Sequence, residues 1–174
     1  MSDRRRRALL DGTIIPGLRE LREHPWLTAA AAGIGGGLTI AGLAALTTLG
    51  HLALLIPPFG ASCVLVFALP GSPLAQPRNV IGGHFVAAAA GLLAYVILGP
   101  GVAAAGIGVG LAIAAMIVTR TVHPPAGADP LVVLALQATP MFLLTPVLVG
   151  SAIIVVAALS YHRLVTGHTY PART

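Results

Sequence analysis

The stretch His123-Pro124-Pro125-Ala126-Gly127-Ala128-Asp129-Pro130 decides how the chain is read. It lies between two long apolar runs, yet it carries an acid, an imidazole and three prolines. An ionised group at the centre of a membrane helix costs about 2.5–3.5 kcal/mol on insertion scales. Broken backbone at that depth is tolerated only where protein or a water-filled cavity satisfies it. An echo lies upstream, Pro57-Pro58-Phe59-Gly60-Ala61-Ser62. Both stretches read as irregular backbone that opens a short helix inside a bilayer, and the function is expected there.

Composition supports a membrane setting. Of 174 residues, 56% are hydrophobic and 9% are charged, and the mean hydropathy is +0.91. Soluble domains carry about 25% charged residues. The chain therefore reads as one integral membrane domain. The formal charge is +5, and all ten basic residues are arginine. Arg4 to Arg7, Arg19 and Arg22 crowd the N-terminus ahead of the first apolar run. That placement marks a cytoplasmic N-terminus and disfavours nucleic acid as a partner. A bacterial inner (plasma) membrane is the expected location. Cys63 is the only cysteine, so no internal disulfide forms. Asp11, Glu20 and Glu23 interrupt what a signal peptide would need as its apolar core.

Residues 1–25 read as a basic cytoplasmic segment, in which Leu18 and Leu21 mark one side of a short interfacial helix, and Trp26 as an interfacial aromatic. Residues 26–165 read as the membrane domain and 166–174 as a short polar tail. Four full spans are expected over 27–50, 80–98, 102–119 and 141–160. The glycines of the first, Gly33, Gly35, Gly36, Gly37 and Gly42, make a small face suited to close helix packing. Two shorter helices are expected over 59–69 and 126–138. The first is about 16 Å long at 1.5 Å per residue, roughly half of a 30 Å hydrocarbon core. Pro70 to Pro77 is a loop by its breakers, and Asn79 is the expected N-cap of helix 80–98.

Shifted by 67 residues, the chain matches itself: Pro57 and Pro58 fall on Pro124 and Pro125, and Gly60 and Ala61 on Gly127 and Ala128. Ser62 then falls on Asp129, and Gly83 on Gly150. The fold class expected is an all-α membrane protein with a two-fold internal repeat, about 26–98 and 99–165. If all six segments cross, Arg78, Arg120 and Arg163 share the cytoplasmic side and the repeat is inverted. If the short segments are re-entrant, four spans remain and Arg78 lies outside. Paired interrupted helices are the best sequence pointer to a transporter's binding site.

Both short helices begin at Pro-Pro, where no N–H is needed. With three crossings per repeat, the two helix starts face each other near the midplane. Free N–H groups and the positive dipole end make each start an anion site. The residues expected to line it are Pro58, Gly60, Ala61 and Ser62 from one start and His123, Pro125, Gly127 and Ala128 from the other. Gly60 and Gly127 let a ligand approach the backbone.

Three blocks in order resemble the HPP family of small integral membrane proteins. They are Pro57-Pro58-Phe59-Gly60-Ala61-Ser62; Ser72-Pro73-Leu74-Ala75-Gln76-Pro77-Arg78-Asn79 with Gly82-Gly83-His84; and Thr119-Arg120-Thr121-Val122 running into His123 to Pro130. The resemblance covers about residues 25–165. Members of that family are described as having four membrane spans and as transporters, and some from plastids and cyanobacteria as nitrite transporters. It implies a small anion, the same charge that the helix starts favour.

Asp129 is expected to carry or balance charge, with capping of its own helix as the bland role. His84, Arg78 and Arg120 are the other candidates for proton coupling or charge pairing. Arg120 also suits a helix C-terminus and Arg78 a cytoplasmic anchor. His24, His51, His162 and His168 are expected at the interface. No motif calls for a cofactor or a metal, and no HExxH or nucleophile elbow is present. The reading is therefore a non-enzymatic transporter or channel, expected to form a homo-oligomer, a dimer or trimer, through its Gly/Ala faces. The alternatives are a membrane-embedded enzyme using His123 and Asp129, and a non-transporting subunit of a larger complex.

Overall fold

The structure is a computed structural model, and it describes residues 24–50 and 52–172. The expected basic segment with its Leu18–Leu21 helix, and His51, lie outside the described residues. The described chain is all-helical. Helix α1 is Pro25–Gly50, and α2 is Pro58–Cys63, continued by a π-helical turn Val64–Ala68. A 3-10 turn, Pro73–Ala75, leads into α3, Pro77–Leu98, and α4 is Val102–Val118. A second 3-10 turn, Pro124–Ala128, opens α5, Asp129–Leu136. The last apolar stretch, Pro140–Thr166, contains α6, Val149–Tyr161.

Among the described residues, three helical stretches are long and apolar enough to cross a bilayer: Pro25–Gly50, Pro77–Leu98 and Pro140–Thr166. The expected fourth span, α4, has 17 residues, the short end of the spanning range. The two Pro-Pro stretches do open short helices, as the sequence indicates. The helix expected over 80–98 begins earlier, at Pro77. Proline at the first helical position costs no hydrogen bond, so the helix starts there with Gln76 at the cap position. Asn79 is not the cap; its side chain donates to the Val122 carbonyl at 2.9 Å.

Close contacts between residues show how the broken segments run. Leu54 N–H donates to Thr47 Oγ1, near the end of α1. A methyl group added at Gly36 would lie 3.6 Å from the Cys63 Cβ, and one at Gly35 would lie 2.9 Å from the Phe67 ring. Residues 54–67 thus run back along α1, first in extended form and then as α2. The second broken segment is likewise extended and then helical, but it runs along α3 in the same direction as that helix. A Cβ at Gly83 would lie 2.7 Å from the Thr121 carbonyl oxygen, and one at Gly91 would lie 2.6 Å from the Pro130 Cα. Gly91 thereby lets the first turn of α5 lie against the α3 backbone.

Gly150 on α6 stands 67 positions after Gly83. A Cβ there would collide with the Phe59 ring and lie 3.0 Å from the Leu54 carbonyl oxygen. Leu43, Phe59, Val66, Val80, Val133, Val147 and Ile154 form the main core among the described residues. On α1, by contrast, only part of the small face is used: a Cβ at Gly33, Gly37 or Gly42 would meet nothing within 4 Å. The expectation of close packing along that face holds at Gly35 and Gly36 alone.

Candidate functional site

Gly83 and Gly91 bracket His84 on one face of α3. Gly83 seats the extended chain at Thr121–His123 and Gly91 seats Pro130. They stand just over two turns apart, about 12 Å along the helix. His84 therefore projects between His123 and Asp129, and α2 closes the gap from the other side with Ser62. The side chains of Ser62, His84, His123 and Asp129 are all 0% exposed.

These four groups form one continuous chain. Asp129 Oδ2 lies 2.8 Å from His84 Nδ1. His84 Nε2 lies 2.8 Å from Ser62 Oγ. Ser62 Oγ lies 2.8 Å from His123 Nε2. His123 Nδ1–H donates to the Leu74 carbonyl at 2.8 Å. Ser62 Oγ also lies 3.2 Å from the Pro58 carbonyl of its own helix. The imidazoles meet edge to face, with centroids 5.0 Å apart, and the Phe59 ring covers His84 at 5.1 Å. Asp129 Oδ1 is buried with no hydrogen-bond partner among the described residues. An orphaned buried acceptor costs about 1–3 kcal/mol, more if charged.

The structure brings Ser62, His84, His123 and Asp129 together and separates them from the rest of the expected set. Pro58 is buried beneath α2, whereas Gly60 and Ala61 face outward. Pro125, Gly127 and Ala128 are partly buried, and a Cβ at Gly60 or Gly127 would meet nothing within 4 Å. The helix starts were expected to offer free N–H groups. Instead, Phe59 N–H donates to the Ile56 carbonyl, Gly60 N–H to Pro57 and Ala126 N–H to His123. A buried helix start must satisfy its donors, and here the preceding turn does so. Asp129 does open α5, but its carboxyl turns to His84 and caps nothing.

Arg78 and Arg120 are exposed at the end of the fold that holds the loop 70–76. The Arg78 guanidinium donates to the Thr119 carbonyl at 2.9 Å. Arg120 follows α4 with φ at 56°, and Thr121 N–H reaches back to the Met116 carbonyl at 2.9 Å. This is a helix-ending motif in which glycine is the usual occupant.

The C-terminal tail docks at the same end. Tyr170 Oη–H donates to the Ala75 carbonyl at 2.9 Å, and Ala172 N–H to Gln76 Oε1 at 2.8 Å. Sequence reasoning missed this strap, because a short polar tail carries no periodicity. It also misplaced His162, expected at the interface. That ring is buried beside Phe67 and Tyr161, and its Nε2–H donates to the Val66 carbonyl at 2.7 Å. The Leu74 carbonyl, which fixes His123, was not foreseen either.

The family model described as HPP, transmembrane region, matches residues 21–171. Two proteins of Dictyostelium discoideum, both named only as transmembrane proteins, are similar to the chain. One is 37% identical over 130 residues, covering 70% of this chain and 45% of the relative. The other is 35% identical over 125 residues, covering 67% of this chain and 40% of the relative. The chain thus spans less than half the length of the curated relatives it matches. No solved structure matches it.

Proposed function

The chain belongs to the HPP family of transmembrane proteins, and from that premise we propose that it carries a small anion, nitrite-like in size and charge, across the membrane together with a proton. The observation that carries the reading is the sealed chain of Ser62, His84, His123 and Asp129 where the two broken helices meet. Four polar side chains within an apolar bundle are costly to bury. Such groups in membrane proteins mark ion and proton pathways. Arg78 and Arg120 draw the anion to one mouth. Ser62 and His123 donate hydrogen bonds to it when the joint opens, and the glycine backbone at Gly60 and Gly127 leaves it room.

In this reading all six segments cross an inner (plasma) membrane, and the two halves form an inverted repeat. Two pairs of observations at the same 67-residue shift support the repeat. Phe59 N–H bonds the Ile56 carbonyl as Ala126 N–H bonds that of His123. Gly83 abuts Thr121 as Gly150 abuts Leu54. A homo-oligomer is part of the same proposal, through the open small faces at Gly33 and Gly37.

The test is flux of small anions into proteoliposomes under a pH gradient. Uptake that follows the gradient and is lost in Ser62→Ala and His123→Ala supports the reading. No anion flux under any gradient overturns it.

One observation favours a second reading. Asp129, His84 and Ser62 stand in the order acid, imidazole, hydroxyl that activates a serine nucleophile. Covalent labelling of Ser62 by a fluorophosphonate, absent in Ser62→Ala, would favour a membrane-embedded hydrolase over a carrier.

A further inference from the structure

The hydrogen bonds can be counted. A carbonyl oxygen only accepts, so His123 Nδ1 bears a proton. If His123 is neutral, its Nε2 accepts, and Ser62 must donate to it. The Ser62 hydroxyl has one hydrogen, and giving it to His123 at 2.8 Å withdraws it from the more distant Pro58 carbonyl at 3.2 Å. It then has none left for His84 Nε2, also 2.8 Å away. His84 Nε2 must therefore be the donor in that pair. With Nε2 protonated, a neutral His84 has a bare Nδ1 facing Asp129 Oδ2 at 2.8 Å. Two acceptors repel at that distance, so a further proton lies between them.

We propose that Asp129, His84, Ser62 and His123 form a proton relay that holds one proton beyond an Asp129 carboxylate and two neutral imidazoles. In one state Asp129 Oδ2–H donates to His84 Nδ1, His84 Nε2–H to Ser62 Oγ, and Ser62 Oγ–H to His123 Nε2. Every group is then neutral, which suits a site with no exposed member. The orphaned Oδ1 agrees with this state, since it is then the carbonyl oxygen of an acid and not half of a carboxylate.

The second state has the same proton count. The Oδ2 proton passes to His84 Nδ1, the Nε2 proton of His84 passes to Ser62 Oγ, and the Ser62 proton passes to His123 Nε2. Three O–H or N–H bonds break and three form, and no co-reactant is needed. Asp129 is left as a carboxylate and His123 as an imidazolium. Their separation costs energy in an apolar interior, and an anion arriving beside His123 offsets it. Anion and proton are thereby coupled without placing the anion against Asp129. The relay has a fixed polarity at one end, because the Leu74 carbonyl passes nothing on.

Among the described residues, the other titratable groups of the packed elements stand elsewhere, and Tyr95 lies about three turns beyond His84 on α3. Helix α4 contains none, Cys63 of α2 packs on Gly36, and Tyr161 of α6 packs on Phe67. Arg78 lies outside, on the Thr119 carbonyl.

This inference rests on the transport reading only for the use made of the proton, so its test reads the proton directly. The protein in lipid nanodiscs, with isotopically labelled histidine, is followed by infrared spectroscopy and side-chain nitrogen NMR across pH. The expected result is a protonated-carboxyl stretch lost in Asp129→Asn, and nitrogen signals that place a proton on His123 Nδ1 and on His84 Nε2. Ser62→Ala, which removes one oxygen and leaves the backbone alone, should change the His84 and His123 nitrogen signals together. A bare His84 Nε2 in the wild-type protein, or the absence of any carboxyl stretch belonging to Asp129, overturns the relay. Either outcome leaves anion flux free to be present. A relay with no flux would instead overturn the transport reading and leave the relay standing.

Discussion

His84 Nδ1 and Asp129 Oδ2 lie 2.8 Å apart, both side chains wholly buried, though 45 positions separate them in the chain. The contact ties α3 to the start of α5 and fixes which way the carboxyl points. It also changes what the acid does. A carboxylate in the first turn of a helix is stabilised by the helix dipole and needs no other role. Turned onto an imidazole, it becomes one end of a buried hydrogen-bonded chain, the feature on which the proposed relay rests.

Asp129→Asn keeps the shape of the side chain and removes the acid. The amide can still bond His84, so the fold should survive. Anion binding should persist, and its dependence on pH should disappear. Transport measured between mildly acidic and mildly basic pH checks this. An unchanged pH profile in the variant would show that the carboxyl only holds α5 against α3.

Gly83→Ala tests the seat of the relay. The added methyl would lie 2.7 Å from both the Thr121 carbonyl oxygen and the His123 Cβ. Backbone cannot yield as a flexible side chain does, and overpacking of this kind costs about 1–3 kcal/mol. His123 should be pushed off Ser62, with loss of both stability and coupled flux. Gly127→Ala, where a methyl meets nothing within 4 Å, should leave the melting temperature nearly unchanged. Equal thermal stability of the two variants would contradict the packing described here.

The broken helices were legible because Pro-Pro has few placements in an apolar run. The 67-residue self-match pairs Ser62 with Asp129, and both belong to the buried chain. The partnership of His84 with Asp129 was not legible, since it depends on how α5 is laid across α3. Gly82-Gly83 hinted at a close contact beside His84, but glycine does not name its neighbour. The free N–H groups expected at the helix starts failed for a physical reason: a buried turn bonds its own donors before a ligand can. The tail strap and the Leu74 carbonyl were invisible because backbone acceptors leave no trace in residue identity.

Tyr170 offers a test of the strap. Burial pushes its phenol up to about 12 from an ordinary value of 10.0. A folded value above the unfolded one means the docked tail is fully stabilised below about pH 10. That stabilisation falls as pH rises through about 12. Tyr170→Phe should remove the bond to Ala75 at a net cost of about 1 kcal/mol. Limited proteolysis of the tail should be faster in the variant and, in the wild-type protein, faster only at the alkaline extreme. Tail cleavage that accelerates on acidification would contradict the assignment.

Topology is checked with one cysteine. Arg78, Thr119 and Tyr170 gather at one end of the fold, so the charge rule places Arg78 and Arg120 on the cytoplasmic side together. On a Cys63→Ala background, a cysteine at position 78 should resist an impermeant thiol reagent in intact cells and react after the membrane is opened. Labelling in intact cells would reverse the orientation.

Arg120→Gly separates the conformational cost of a residue from its charge. Arg120 holds φ at 56° where α4 ends. A residue with a Cβ pays about 1 kcal/mol or more in this left-handed region, and glycine pays little. If the position served only to end the helix, glycine would be the better occupant, and the variant should gain about that much stability. In the proposed transport reading, Arg120 and Arg78 are two exposed cations at one mouth, where they would attract an anion and raise its local concentration. The expected outcome is thus a pair of opposite changes: a higher melting temperature and slower anion uptake at low substrate concentration. The deficit should shrink as salt screens the remaining charge in both proteins. A variant that is more stable and transports as well as the wild type would assign Arg120 to anchoring alone.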